Sequence, residues 1–296
     1  VIEPFTVPFM GRALAELALL ALVCGPVSVF VFARRLSFVS DALTHTVFPG
    51  VVIGFLAGGI EGIVVGALVA GVVTAVALTL LSRGGALSDD AATAVVLTAM
   101  FSIGVVLVSR RSSYTSDLTS FLFGRILTVT PRQIAETAVL AVVILGLLLI
   151  SARALVFRTF DPAGAAAAGF RVAGLDLLLN IIVALVVVAA VRAVGTILVV
   201  ALLIVPAATA RMLTTRLPLM AVIGTGLILV AAYAGLLTSW TASVEYGISL
   251  TSASAVVLLL VLAYLLLLPL GALRSRRNHG RVVSSEARRS PHELVG

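Results

Sequence analysis

Arg34-Arg35-Leu-Ser-Phe38-Val-Ser-Asp41-Ala-Leu-Thr-His45-Thr-Val-Phe48-Pro49-Gly50 opens an apolar run that continues to Ile60. As a helix, residues 38–60 would be about 34 Å long, enough to cross a hydrocarbon core of about 30 Å. The two arginines ahead of it suit a membrane face. Asp41 and His45 stand four residues apart, so a helix puts them on one side, with Cβ atoms about 5–6 Å apart. Ionisable groups inside a bilayer are costly and mark a functional site by default. One carboxylate oxygen and one imidazole nitrogen suit a divalent transition metal.

The same character extends outward in both directions. Hydrophobic residues make up 61% of the 296, charged residues 11%, and the mean hydropathy is +1.23, so one all-α polytopic membrane domain is expected and no soluble one. Apolar windows fall at residues 17–33, 38–60, 62–81, 91–109, 134–152, 175–191, 194–210, 217–238 and 248–269. The sixth and seventh are so close that eight or nine transmembrane helices are expected. The membrane domain spans 1–272, and 273–296 is a basic, disordered cytoplasmic tail holding His279 and His292. The first window reads as a span rather than a cleaved signal.

The net charge of +7 comes from arginine alone, since the sequence has no lysine. A Walker A loop needs its lysine on the phosphates, so ATP hydrolysis is expected only in a separate partner chain, and this chain is not read as an enzyme. Six of the twenty arginines lie between Arg274 and Arg289. The positive-inside rule then places the C-terminus in the cytoplasm. Against it, residues 110–132 bring four arginines to the outer side; within them, 118–123 is an amphipathic piece able to dip into the bundle. Cys24 is the sole cysteine, which leaves no intrachain disulfide or CxxC site.

Gly50, Gly54 and Gly58 recur every four residues, as do Gly62, Gly66 and Ala70. Such ridges let helices approach closely, either within a helix hairpin or at a subunit interface beside Asp41 and His45. Farther on, Asp161-Pro162 is a helix start, an N-cap acceptor followed by proline at the first helical position. The alanines after it favour helix, and Gly169 ends it. A short capped helix, about 160–171, is expected in a loop and is sized to dock in a groove on another protein.

At these residues the chain resembles the permease subunits of zinc/manganese/iron-type ABC importers. The family's Asp-Ala-Leu-Ser-His and Leu-Pro-Gly are met by Asp41-Ala42-Leu43-Thr44-His45 and Phe48-Pro49-Gly50. Its Asp-Leu-x-Ser-x-Leu-Phe-Gly is met from Asp117 to Gly124, and its Phe-Asp-x-x-x-Ala-x-x-x-Gly by Phe160, Asp161, Ala165 and Gly169. Its Val-Gly-x-x-Leu-Val and Pro-Ala-Ala-x-Ala-Arg patterns are met almost completely from Val194-Gly195 to Pro206 and Arg211. The resemblance covers about residues 8–269 and implies a type II importer-like bundle in a bacterial cell membrane. It also implies a homodimer, two cytoplasmic ATPase subunits that carry the ATP, and an extracytoplasmic metal-binding protein. No permanently bound cofactor is implied, and manganese, zinc or iron is the cargo, with manganese slightly favoured. Asp41 and His45 would handle the metal. Phe160, Asp161, Ala165, Gly169 and Phe170 would form the ATPase-coupling element, although Ala163, Gly164 and Ala166 make it smoother than is usual in the family.

Other readings compete with these. Asp41 could instead pair with Arg34 or Arg35, with His45 satisfying a backbone carbonyl. Two ligands make an incomplete site, as transport requires, and a second copy or water would complete it. Metal needs a neutral imidazole, so transport through His45 would fall in acid. Asp89 and Asp90 suit the start of a helix after Ser88. Asp117 and Glu245 are weak acidic candidates on the outer side. Pro49, Gly50, Pro206 and Arg211 are candidates for gating or a helix kink, with the chain bent or unwound between Pro206 and Arg211. The alternative function is a proton- or sodium-coupled secondary metal transporter, but no internal repeat supports it. A membrane-embedded enzyme would need a constellation such as HExxH, which the sequence lacks.

Overall fold

The computed structural model describes residues 7–83, 88–109, 124–248 and 250–269. The tail with His279 and His292, and the stretch with Asp117 and residues 118–123, lie outside the described residues. Among those described, all regular structure is helical: α1 (Pro8–Ala33), α2 (Ser37–Thr46), α3 (Phe48–Arg83), α4 (Asp89–Ser109), α5 (Pro131–Phe160), α6 (Pro162–Ala167), α7 (Val172–Leu213), α8 (Leu217–Glu245) and α9 (Ser252–Pro269).

Eight segments are long and apolar enough to cross a membrane, with α2 and the first part of α3 forming one of them, Ser37–Gly59. One of the eight, α7, has 42 residues. Straight, it would be about 63 Å long, twice the hydrocarbon thickness. It does not run straight, because Gly195 (φ 77°, ψ 166°) breaks it. Asp176, near its start, bonds Arg34 at the end of α1. Ala207 and Ala210, near its finish, cluster with Val29, also close to that end of α1. Both extremities of α7 therefore reach the same end of α1, and the segment folds back at Gly195. With the two arms of α7 counted separately, the described residues hold nine membrane-length segments, with the boundary where windows 175–191 and 194–210 place it.

The break is built for glycine. That φ/ψ combination is essentially closed to residues with a Cβ, and Gly124 packs against the backbone of Val194 and Gly195 while Arg125 N donates to Ala193 O at 3.1 Å. Gly195→Ala is expected to cost about 1–3 kcal/mol, read as a lower apparent Tm of the detergent-solubilised protein.

A second reversal, at Gly58 and Gly59 (φ 62°, ψ −147°), splits α3 into two antiparallel arms. The glycine ridges face each other across it: a Cβ on Gly50, Gly54, Gly62 or Gly66 would overlap the backbone of the opposite arm. The small residues therefore let the two arms of the hairpin close on each other.

Between Asn180 and Arg192 the first arm of α7 is apolar on every side, and it occupies the centre. Ile182, Val183, Val186, Val187, Ala190 and Val194 are fully buried, as befits a helix without a polar face. By contrast, α5 lies at the periphery, with Leu149 and Ile150 75% and 88% exposed, a face suited to lipid.

Ion pairs mark the two ends of the bundle. At one, Arg34 and Arg158 converge on Asp176. At the other, Arg192 and Arg132 bond Glu136 at 2.9 and 3.2 Å, and Arg132 also reaches Glu61 at 2.9 Å. Close by, Thr137 Oγ1 donates to the fully buried Glu16 at 2.8 Å. A capping box between Thr130 and Gln133 starts α5 at that same end.

Candidate functional site

The turn from α1 into α2 is tight. Arg35 sits in the left-handed region at φ 57°, uncommon for a residue with a side chain. Helix α2 then buries Val39, Ala42, Leu43 and Thr46 and packs on α7 and α4. That burial fixes its rotation and leaves Asp41 and His45 partly open, with side chains 44% and 29% exposed.

Asp41 Oδ1 and His45 Nε2 are 3.9 Å apart. This is too long for a hydrogen bond, yet shorter than two metal–ligand bonds of about 2.0–2.2 Å laid end to end. One ion can therefore touch both. The His45 ring meets Phe101 of α4 edge-on, centroids 6.0 Å apart, and Phe101 in turn lies 6.2 Å from Phe48. An aromatic wall thus backs the imidazole on one side. Among the described residues no cluster of three or more Asp, Glu, His or Cys side chains could hold a metal. His45 lies about 12 Å along the helix from Ser37, well inside the span.

Just beyond, α2 gives way to α3 at Val47. Pro49 has no N–H for the carbonyl of His45, four residues earlier, which loosens the helix next to Asp41 and His45. Gly50 follows directly and packs on Gly66 and Ala70 of the facing arm. Pairing of Asp41 with Arg34 is not found, because Arg34 is bonded to Asp176.

The loop unit is built as its residues predict. Asp161 Oδ1 accepts from Gly164 N at 2.8 Å and caps the six-residue α6. Gly169 (φ 85°) donates to Ala166 O, and Phe170 N to Ala165 O, both at 3.0 Å. That double closure is a Schellman stop. Ala165 is fully buried beneath the unit, Phe170 stacks edge-on against Phe157 at 6.0 Å, and Phe160 is 66% exposed. Beside them Ala152, Arg153, Val156, Phe157 and Phe160 line an open apolar groove of about 540 Å³. Asp161→Ala is expected to cost this helix about 1 kcal/mol of local stability, seen as faster hydrogen exchange at Gly164 and Ala165.

The remaining candidates lie apart from these two sites. The helical backbone continues through Pro206 to Leu213, and the non-helical residue in α7 is Gly195; no unwinding is present between Pro206 and Arg211. Pro206 is buried against Gly224 of α8. Glu245 is exposed at the end of α8, and Ser88 Oγ accepts from Ala91 N at 3.2 Å, starting α4 where Asp89 and Asp90 predict it. Asp176, which no motif singled out, is the notable omission. A lone carboxylate in the first turn of an apolar window needs a cationic partner, and that rule was the available signal.

The profile of the ABC 3 transport family matches residues 6–268. The chain belongs to that family. It is a polytopic permease-type subunit of the metal ABC importer group. It is 35% identical over 242 residues, 82% of each chain, to the manganese transport system membrane protein MntC of Halalkalibacterium halodurans. It is 34% identical over 238 residues to the chelated iron transport system membrane protein YfeD of Yersinia pestis, covering 80% of this chain and 79% of that one. The solved structure of PsaBC from Streptococcus pneumoniae in complex with Fab superposes with a TM-score of 0.77 at 30% identity, covering 90% of this chain and 93% of that one.

Proposed function

We propose that this chain is the membrane half of an ATP-driven importer of a divalent transition metal, manganese ahead of zinc and iron. The observation that carries this reading is the Asp41–His45 pair, 3.9 Å apart and incomplete by itself. Four strong ligands would trap an ion, whereas two that need completing by a second copy or by water let it pass. The similarity to manganese and iron transport proteins supports the choice of metals.

In this reading two copies pair, an extracytoplasmic binding protein delivers the ion, and Asp41 and His45 take it. The domain 1–272 spans the membrane, and 273–296 is a cytoplasmic tail. The end holding Arg34, Arg35, Arg158, Arg171, Arg211 and Arg216 is cytoplasmic, as the positive-inside rule favours. There, α6 and the exposed Phe160 dock on a separate ATPase subunit, and ATP hydrolysis in that subunit drives the bundle through Asp161–Phe170. The joint at Pro49 and Gly50 lets the helix carrying Asp41 and His45 move, and Pro206 and Arg211 of α7 contribute to gating away from that joint.

The test is metal uptake into proteoliposomes holding this chain with its ATPase and binding protein. ATP-dependent accumulation of one ion is expected. Uptake indifferent to ATP but driven by a proton or sodium gradient would replace this reading with a secondary transporter.

A further inference from the structure

Three chain segments meet at Asp176. One carboxylate oxygen takes Nη2 of Arg34, and the other takes Nη2 of Arg158 at 3.0 Å. The three side chains are only 12–26% exposed. Charge-assisted bonds in such a setting hold geometry well. The partners are telling. Arg158 is in the last turn of α5, two residues before the Phe160 that opens the loop unit. Asp176 is in the first turns of α7, just after the unit closes at Phe170. Arg34 is the C-cap of α1, and the strained Arg35 turn then leads into the helix of Asp41 and His45.

Among the described residues no other ion pair bridges these elements at this end of the bundle. The cluster also has unused capacity, since Arg34 Nη1 and Arg158 Nε are buried without a hydrogen-bond partner. Two cations share one anion, and buried orphan donors call for an explanation.

We infer that Asp176 is a positioning residue that ties the ATPase-facing loop to the α1–α2 turn, so that displacement of the loop shifts the helix carrying Asp41 and His45. It touches neither metal nor nucleotide. This inference rests on the importer reading above.

The experiment measures metal transported per ATP hydrolysed in proteoliposomes for the native complex, Asp176→Asn and Asp176→Glu. Asp176→Asn keeps the shape but removes the charge that holds both arginines. ATP hydrolysis is expected to continue, with metal moved per ATP falling about tenfold and partly restored in Asp176→Glu. Should Asp176→Asn fail to assemble, Arg158→Gln opens the same link from its other side, with Asp176 still neutralised by Arg34, and the same drop is expected. A native ratio of metal to ATP in the variants overturns the inference and leaves the importer reading standing. So does a parallel loss of hydrolysis and uptake, which marks a merely structural ion pair. A native complex that hydrolyses ATP without moving metal overturns both.

Discussion

His45→Ala is expected to lower metal uptake by about 100-fold or more, with the complex still assembled. Loss of an outer partner to a metal ligand already costs about 10–100-fold in affinity, and in the proposed site a ligand itself would go from a set of two per chain. The imidazole is only partly buried and leans on Phe101, so its removal deletes an edge contact without opening a cavity in the core. Uptake should fall while thermal stability stays close to native. Asp41→Ala should do the same, and the double variant should be little worse than either, because two ligands that grip one ion act as a unit. The check is initial uptake rate alongside melting temperature in the same preparations. A variant that transports normally would place the metal elsewhere.

Gly66→Val is expected to have the largest effect on stability, about 3 kcal/mol. A side chain there would meet the carbonyl oxygen of Gly50 and the backbone of Gly54. Backbone cannot rotate aside as a flexible side chain can, so the arms of α3 must part. Gly54→Val should behave alike, through Gly62 and Gly66. Gly58→Ala is the control: open space surrounds it and its φ of −138° is ordinary, so a change below about 0.5 kcal/mol is expected. Apparent Tm of the solubilised protein separates the two cases. Equal behaviour at Gly58 and Gly66 would mean that the hairpin does not bring these glycines together.

Much of this architecture is legible in the residues. Apolar windows give the crossings because lipid offers no partner for backbone polar groups, so each window must close its hydrogen bonds within itself. The loop unit is equally local: an Asp-Pro start and a Gly-Phe stop need only neighbouring residues. Asp41 and His45 share a face through helical spacing alone.

Other features depend on which helices become neighbours, and spacing carries no such information. The glycine ridges suit a hairpin or a subunit interface equally until Gly54 is found against Gly62. The chain reverses at Gly195, where the turn demands a φ that glycine alone supplies at low cost. Arg34 lies seven residues from Asp41 in sequence but bonds Asp176, 142 residues away.

By itself, then, the sequence determined the membrane-spanning helical class, the number of crossings to within one, the capped loop and the shared face of Asp41 and His45, since each follows from hydrogen bonding and burial within one short segment. Only the tertiary structure decided that the glycine ridges close on each other, that the sixth crossing turns back at Gly195, and that Asp176 bonds both Arg34 and Arg158. Those outcomes arise from contacts between distant segments, whose energies exist only once the helices have packed.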